Sequence, residues 1–139
     1  MKGMFISMYS VVHVAISVTN YGESLNFYKM FGFSIIKEWK AEDLSIQIAH
    51  LKLNNMIIEI FCYKNYVIMP EKSKELSTDL PMIGVKHFAF GVPNLGEAYE
   101  DLLAKGIIKN NVKITIGRLG KKYFFIKDPD GILIEIIEL

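Results

Sequence analysis

The chain holds one cysteine, one tryptophan and one arginine among 139 residues, and each scarcity excludes something. A lone Cys62 forms no disulfide within the chain, which suits a reducing compartment, and its place in an apolar run reads as a small core residue rather than a nucleophile. With Arg118 set against fifteen lysines, planar guanidinium capture of carboxylates at several points is excluded. Net charge is only +1, with acidic and basic residues interspersed, so there is no electrostatic footprint for nucleic acid or an anionic membrane. No apolar run approaches the roughly 18 residues that span a bilayer. The amino end, Met1 to Ser10, lacks the long apolar stretch and small-residue cleavage pattern of a secretory signal, so a cytoplasmic location is expected. The expected partners are small molecules.

What is present is apolar: 51% hydrophobic residues can furnish a core, and a chain of this length buries roughly two-thirds of its unfolded surface. Within that apolar background stand two carboxylates, Glu59 in Met56-Ile57-Ile58-Glu59-Ile60-Phe61 and Glu135 in Ile132-Leu133-Ile134-Glu135-Ile136-Ile137. An ionised carboxylate among Ile and Phe is costly unless a cation or several donors meet it. Each follows a histidine in a short strand-like run, His13 in Val11–Val18 and His87 in Val85–Val92. The histidines lie 74 positions apart and the glutamates 76, giving His-to-Glu intervals of 46 and 48.

The surroundings repeat as well. Asn20 and Asn94 can cap helices running to about Phe31 and Lys105, stopped by Gly32 and Gly106. Strands are expected over 33–41, 44–53 and 56–63 in the first half, then 113–118, 122–127 and 132–138 in the second. Asn54-Asn55 suits a two-residue hairpin, and Asp128-Pro129-Asp130-Gly131 suits a tight turn. The pattern is βαβββ twice, an α+β domain of module 10–63 and module 84–139 joined by a linker over 64–83 that carries a short helix.

Alternation along strands puts His13 on one face of its strand and Glu59 on one face of its own, and likewise His87 and Glu135. If each sheet curls inward, two nitrogen and two oxygen ligands converge, a set suited to one divalent ion such as Ni, Co, Zn, Fe or Mn. Around them, Phe61, Tyr63 and Phe125 are candidate pocket aromatics, Gln47 and His50 candidate rim residues, and Arg118 a candidate partner for an anionic substrate tail.

Taken together, His13-Val14-Ala15-Ile16, Asn26-Phe27-Tyr28-Lys29-Met30-Phe31-Gly32-Phe33, Ile58-Glu59-Ile60-Phe61, Lys86-His87-Phe88-Ala89-Phe90 and Phe125-Ile126-Lys127-Asp128-Pro129-Asp130-Gly131-Ile132-Leu133-Ile134-Glu135 resemble the vicinal oxygen chelate superfamily over Val11 to Leu139. The resemblance implies the glyoxalase fold, an incomplete barrel of two tandem modules, and a homodimer. It also implies that His13, Glu59, His87 and Glu135 bind the metal, whose open positions hold two neighbouring oxygens of a substrate or enediolate. Glyoxalase I-type lyase or isomerase chemistry on a hemithioacetal or similar substrate follows, with Glu135 as the expected proton carrier and Glu59 the near-symmetric alternative.

The chain departs from the glutathione-using branch at Ser17, where that branch carries arginine, and at Tyr63, where it carries asparagine. Those departures bear on the thiol. The alternatives are a noncatalytic ligand-binding or drug-sequestering protein of the same fold, an epimerase, or a dioxygenase; Glu59 occupies the position at which three-ligand relatives carry a second histidine.

Overall fold

Ile16 and Val18 of the first strand are buried while His13, Ala15 and Ser17 are exposed, the period-two pattern of a strand with one face on a core. The computed structural model describes residues 3 and 6–139, and part of the amino-end reading, at positions 1, 2, 4 and 5, lies outside the described residues. The chain divides into two compact units, Met1–Tyr66 and Val67–Leu139.

In the first unit, β1 (His13–Val18), α1 (Tyr21–Lys29), β2 (Ser34–Lys40), β3 (Ile46–Leu53) and β4 (Met56–Tyr63) follow in order. The sheet runs β1-β4-β3-β2, with β1 and β4 parallel and the other neighbours antiparallel. The Asn20 side chain accepts from the Glu23 amide at 3.0 Å, closing the start of α1. The helix stops at Lys29 rather than Phe31, because Met30, Phe31 and Gly32 bond three residues back and tighten the last turn. Gly32, at φ +103°, then reverses the chain as only glycine does cheaply. Tyr28 of α1 is fully buried with Ile58 and Ile60 of β4 in this unit's core.

The second unit repeats the plan. A short 3-10 turn at Glu71–Ser73 and α2 (Leu76–Asp79) precede β5 (Phe88–Val92), α3 (Leu95–Ala104), β6 (Thr115–Ile116), β7 (Lys122–Lys127) and β8 (Leu133–Glu138). The strand order is β5-β8-β7-β6, again with a single parallel pair, β5 with β8. Asn94 caps α3 as Asn20 caps α1, accepting from the Glu97 amide at 3.0 Å.

The described residues form two four-stranded mixed sheets with few helices and no closed barrel among them, an α+β architecture. Strand β5 starts at Phe88, not Val85, because its partner β8 starts only at Leu133, after the Asp128–Gly131 turn, leaving His87 at the strand's approach. Strand β6 shrinks to two residues beside a turn in which the Gly117 amide donates to the Lys121 carbonyl at 2.8 Å. No helix among the described residues is long and apolar enough to cross a membrane.

Candidate active site

Glu59 is placed by β4, whose Ile58 and Ile60 point into the core and leave the carboxylate on the opposite face, its side chain 19% exposed. Ile58 and Ile60, its immediate neighbours in sequence, therefore lie on the other face, which removes part of the desolvation cost that the strand's composition suggests. The parallel register sets Ala15 opposite Glu59, and His13, two residues earlier on the same face, brings Nε2 to 3.5 Å from Glu59 Oε1. The antiparallel register sets His50 opposite Glu59 from the other side, with Nε2 2.6 Å from Oε2. One carboxylate thus faces two imidazoles whose centroids are 5.9 Å apart.

The second unit builds the same pair. Ala89 stands opposite Glu135, and His87 Nε2 lies 3.8 Å from Glu135 Oε2, with the carboxylate again 19% exposed. Phe125 takes the position that His50 takes in the first unit, opposite the glutamate, and sets its ring edge-on to His87 at 4.8 Å. Among the described residues His87 Nδ1 is buried without a hydrogen-bond partner.

A cavity of about 440 Å³ in this unit is lined by His87, Glu135, Phe125, Tyr123, Arg118 and Lys121, with Leu76 and Leu80 of α2 on its wall. Two cations and a floor of aromatic edges share one space with the His–Glu pair. Lys86 Nζ donates to the Asp79 carbonyl at 2.7 Å and so ties the end of α2 to the approach of β5. In the first unit a smaller cavity, about 170 Å³, is lined by Lys37, Glu38, Trp39, Ile48 and His50.

Other expected pocket residues fall differently. Phe61 pairs with Ile48 and Ser17, two positions beyond Glu59 on the same face. Gln47 pairs with Cys62, which places it on the face away from Glu59; with Tyr63 it lines a separate cavity of about 420 Å³ near the start of α1. Gln47 and His50 are three positions apart on one strand and so lie on opposite faces, which separates these two rim candidates.

The donors are of the right kind for a divalent ion, imidazole nitrogen and carboxylate oxygen in each unit. At 3.5 and 3.8 Å the two N–O separations exceed ordinary hydrogen bonds and lie a little beyond the roughly 3.0–3.4 Å between neighbouring ligands in a coordination shell with about 2.1 Å bonds. Each pair brings one nitrogen and one oxygen donor near one another. Among the described residues no group of three or more His, Cys, Asp or Glu side chains is arranged to hold an ion.

Residues 10–136 match the Glyoxalase/Bleomycin resistance protein/Dioxygenase superfamily. The chain belongs to this superfamily. Its members typically use a divalent metal. A glyoxalase superfamily chain of this length has clear relatives: protein YwkD of Bacillus subtilis (strain 168) is 32% identical over 131 residues, covering 93% of this chain and 96% of that protein. "Glyoxylase I 4" of Arabidopsis thaliana is 28% identical over 128 residues, 91% of this chain and 69% of that protein. The crystal structure of a glyoxalase family protein from Enterococcus faecalis superposes with a TM-score of 0.76 at 29% identity, covering 94% of this chain and 98% of that one.

The sequence left His50 without a partner, although a signal was there. Counting back equally from the two-residue Asn54-Asn55 turn, in which Leu53 pairs with Met56, reaches His50 on one strand and Glu59 on the other. The contribution of Leu76 and Leu80 had no such signal, since it depends on how the linker folds.

Proposed function

We propose that this chain is a divalent-metal-dependent lyase or isomerase of the glyoxalase I (lactoylglutathione lyase-like) type, acting on a small oxygenated substrate such as a hemithioacetal. The observation that carries the reading is the His–Glu pair built twice at one register position, His13 with Glu59 and His87 with Glu135. These four residues would hold one ion, Ni, Co, Zn, Fe or Mn. Bound there, the ion supplies Lewis acidity and a template for two neighbouring substrate oxygens.

The chain's own residues do the rest. A Glu135 carboxylate oxygen takes the proton from the substrate carbon and returns it to the adjacent carbon, while the hydroxyl proton passes to the former carbonyl oxygen, so a hemithioacetal becomes a 2-hydroxy thioester with no net gain or loss of atoms or electrons. Phe125 and Tyr123 supply apolar surface beside that oxygen and limit water. Arg118 and Lys121 offer charge to an anionic end of the substrate. Ser17 and Tyr63 stand where the glutathione-using branch carries arginine and asparagine, which favours another small thiol. The likeness to a glyoxalase I relative in Arabidopsis supports the class of reaction.

The working form is a homodimer in the cytoplasm. Strands β1 and β5 are sheet edges approached by exposed Val11, Val12, Ile83 and Val85, an apolar border that a second copy would cover.

The test is turnover of hemithioacetals by chelator-treated protein reloaded with each ion in turn, with oxygen uptake followed in parallel. Ion-dependent isomerisation without oxygen consumption is expected. Absence of turnover with every ion, alongside tight binding of an apolar compound to metal-free protein, would replace this reading with sequestration; oxygen consumption with Fe or Mn would replace it with a dioxygenase.

A further inference from the structure

The two halves of this chain match at histidine, alanine and glutamate but differ in the residue that the antiparallel neighbour sets opposite the glutamate. Opposite Glu59 stands His50; opposite Glu135 stands Phe125. A phenyl ring offers no hydrogen bond, whereas His50 Nε2 lies 2.6 Å from Glu59 Oε2, the length of a strong charge-assisted bond. Among the described residues no hydrogen bond to the Glu135 carboxylate is seen, and His87 Nε2 lies 3.8 Å from its Oε2. We propose that His50 is a positioning residue that makes the two metal-holding glutamates inequivalent: it fixes Glu59 in place and leaves Glu135 the mobility to carry a proton as well. The proposal rests on the metal-dependent reading above and deepens it.

Three observations argue it. First, the bond divides the Glu59 oxygens, Oε2 toward His50 at 2.6 Å and Oε1 toward His13 at 3.5 Å, so the oxygen not held by His50 is the one on the His13 side. Second, a nitrogen carrying the hydrogen-bonding proton has no lone pair for a metal, so His50 acts on the ligand and not as a ligand. A hydrogen bond of this kind orients a coordinating side chain and removes the entropy it would otherwise lose on binding. Third, the β2 strand is bulged across from this residue. The register slips between Ile35, opposite Leu51, and Lys37, opposite His50, leaving Ile36 unpaired and 52% exposed. Bulges commonly re-aim side chains beside functional sites. Here the slip puts Lys37 and Trp39 around the cavity that contains His50.

Glu135 has the opposite setting. Its carboxylate sits beside Phe125 in the cavity of about 440 Å³, with no bond to hold one rotamer. A base that must reach two adjacent carbons in turn needs that freedom, and a ligand that must stay in place does not.

The experiment compares the full chain with His50→Phe, which copies the second half, and His50→Gln, whose amide N–H can still donate to Glu59 Oε2. The probe is Co²⁺. Its affinity is read by competition with a chromophoric chelator, by the visible absorption of the bound ion, and by quenching of Trp39, the chain's single tryptophan, which lines the same cavity as His50. Circular dichroism and melting of the metal-free proteins report folding independently. His50→Phe should weaken Co²⁺ by about 10- to 100-fold and alter its absorption, the range expected when a residue orienting a ligand is lost. His50→Gln should restore most of the affinity. Folded His50→Phe binding Co²⁺ within twofold of the original would overturn the proposal, as would a folded His50→Gln no better than His50→Phe, which would make His50 itself a ligand. Those results leave the metal-dependent reading standing, whereas failure of the original chain to bind Co²⁺, Ni²⁺ or Zn²⁺ would remove both.

Discussion

Ala15 stands directly opposite Glu59 across the parallel pair of β1 and β4, and Ala89 stands in the same relation to Glu135 across β5 and β8. A methyl group beside each carboxylate keeps the space between histidine and glutamate open, where a larger side chain would fill it. Both alanines are exposed, so a larger residue is tolerated by the core. Ala15→Leu and Ala89→Leu should each lower metal affinity by about tenfold, or about 1.4 kcal/mol, with melting temperature of the metal-free protein little changed. Titration with Co²⁺ checks this, and undiminished affinity in both variants would show that the alanines are incidental.

Glu135→Gln keeps the size and polarity of the side chain while removing its capacity to accept a proton. Turnover of the preferred hemithioacetal should fall by about 10²–10⁴-fold, the contribution typical of a positioned base. Solvent-proton incorporation at the substrate carbon should fall with it. Full kcat in this variant would move the proton to another group.

Arg118→Ala tests the cationic wall of the larger cavity. For a substrate with an anionic end, KM should rise about tenfold with kcat nearly unchanged, the signature of binding shared by ground and transition states. A neutral analogue should show no change. Equal effects on both substrates would mean that Arg118 shapes the wall without reading charge.

Tyr21 joins the start of α1 to β2, its hydroxyl donating to Glu38 Oε1 at 2.6 Å while Lys40 Nζ lies 5.0 Å from its ring centroid. Burial of the ring, and then the bond and charge of Glu38, push its phenol well above the ordinary tyrosine range. The phenol stays neutral in the folded chain under conditions that ionise it in the unfolded one. Its contribution is therefore complete below about pH 10 and lost as pH rises toward the folded value. Tyr21→Phe should cost about 1 kcal/mol at neutral pH. The deficit should narrow above pH 10, and a constant deficit from pH 7 to 11 in chemical denaturation would count against this account.

Periodicity carried most of the fold. The helix caps at Asn20 and Asn94, the hairpin at Asn54-Asn55 and the turn at Asp128–Gly131 are local signals, and their elements form close to where composition and spacing put them. In that last turn the Asp128 side chain accepts from the Asp130 and Ile132 amides at 2.9 Å, a local bond that Asp chemistry announces. Elements whose limits depend on a neighbour were less legible. Strand β5 waits for β8, and β6 is cut short by the glycine turn that follows it. Gln47 shows the same limit at the level of one side chain: residue type nominated it for the pocket, and strand parity sent it to the other face. His50 shows the converse, a rim candidate without a partner in the repeat whose register puts it against Glu59.

The proposed function stands on a divalent ion held by His13, Glu59, His87 and Glu135. Its most direct test is the metal content and affinity of chelator-treated, reconstituted protein, compared between the original chain and the Glu59→Gln, Glu135→Gln double variant. Near-stoichiometric metal in the original, lost in a double variant that still folds, is the predicted result. No specific metal in the original, or equal metal in both, would contradict it.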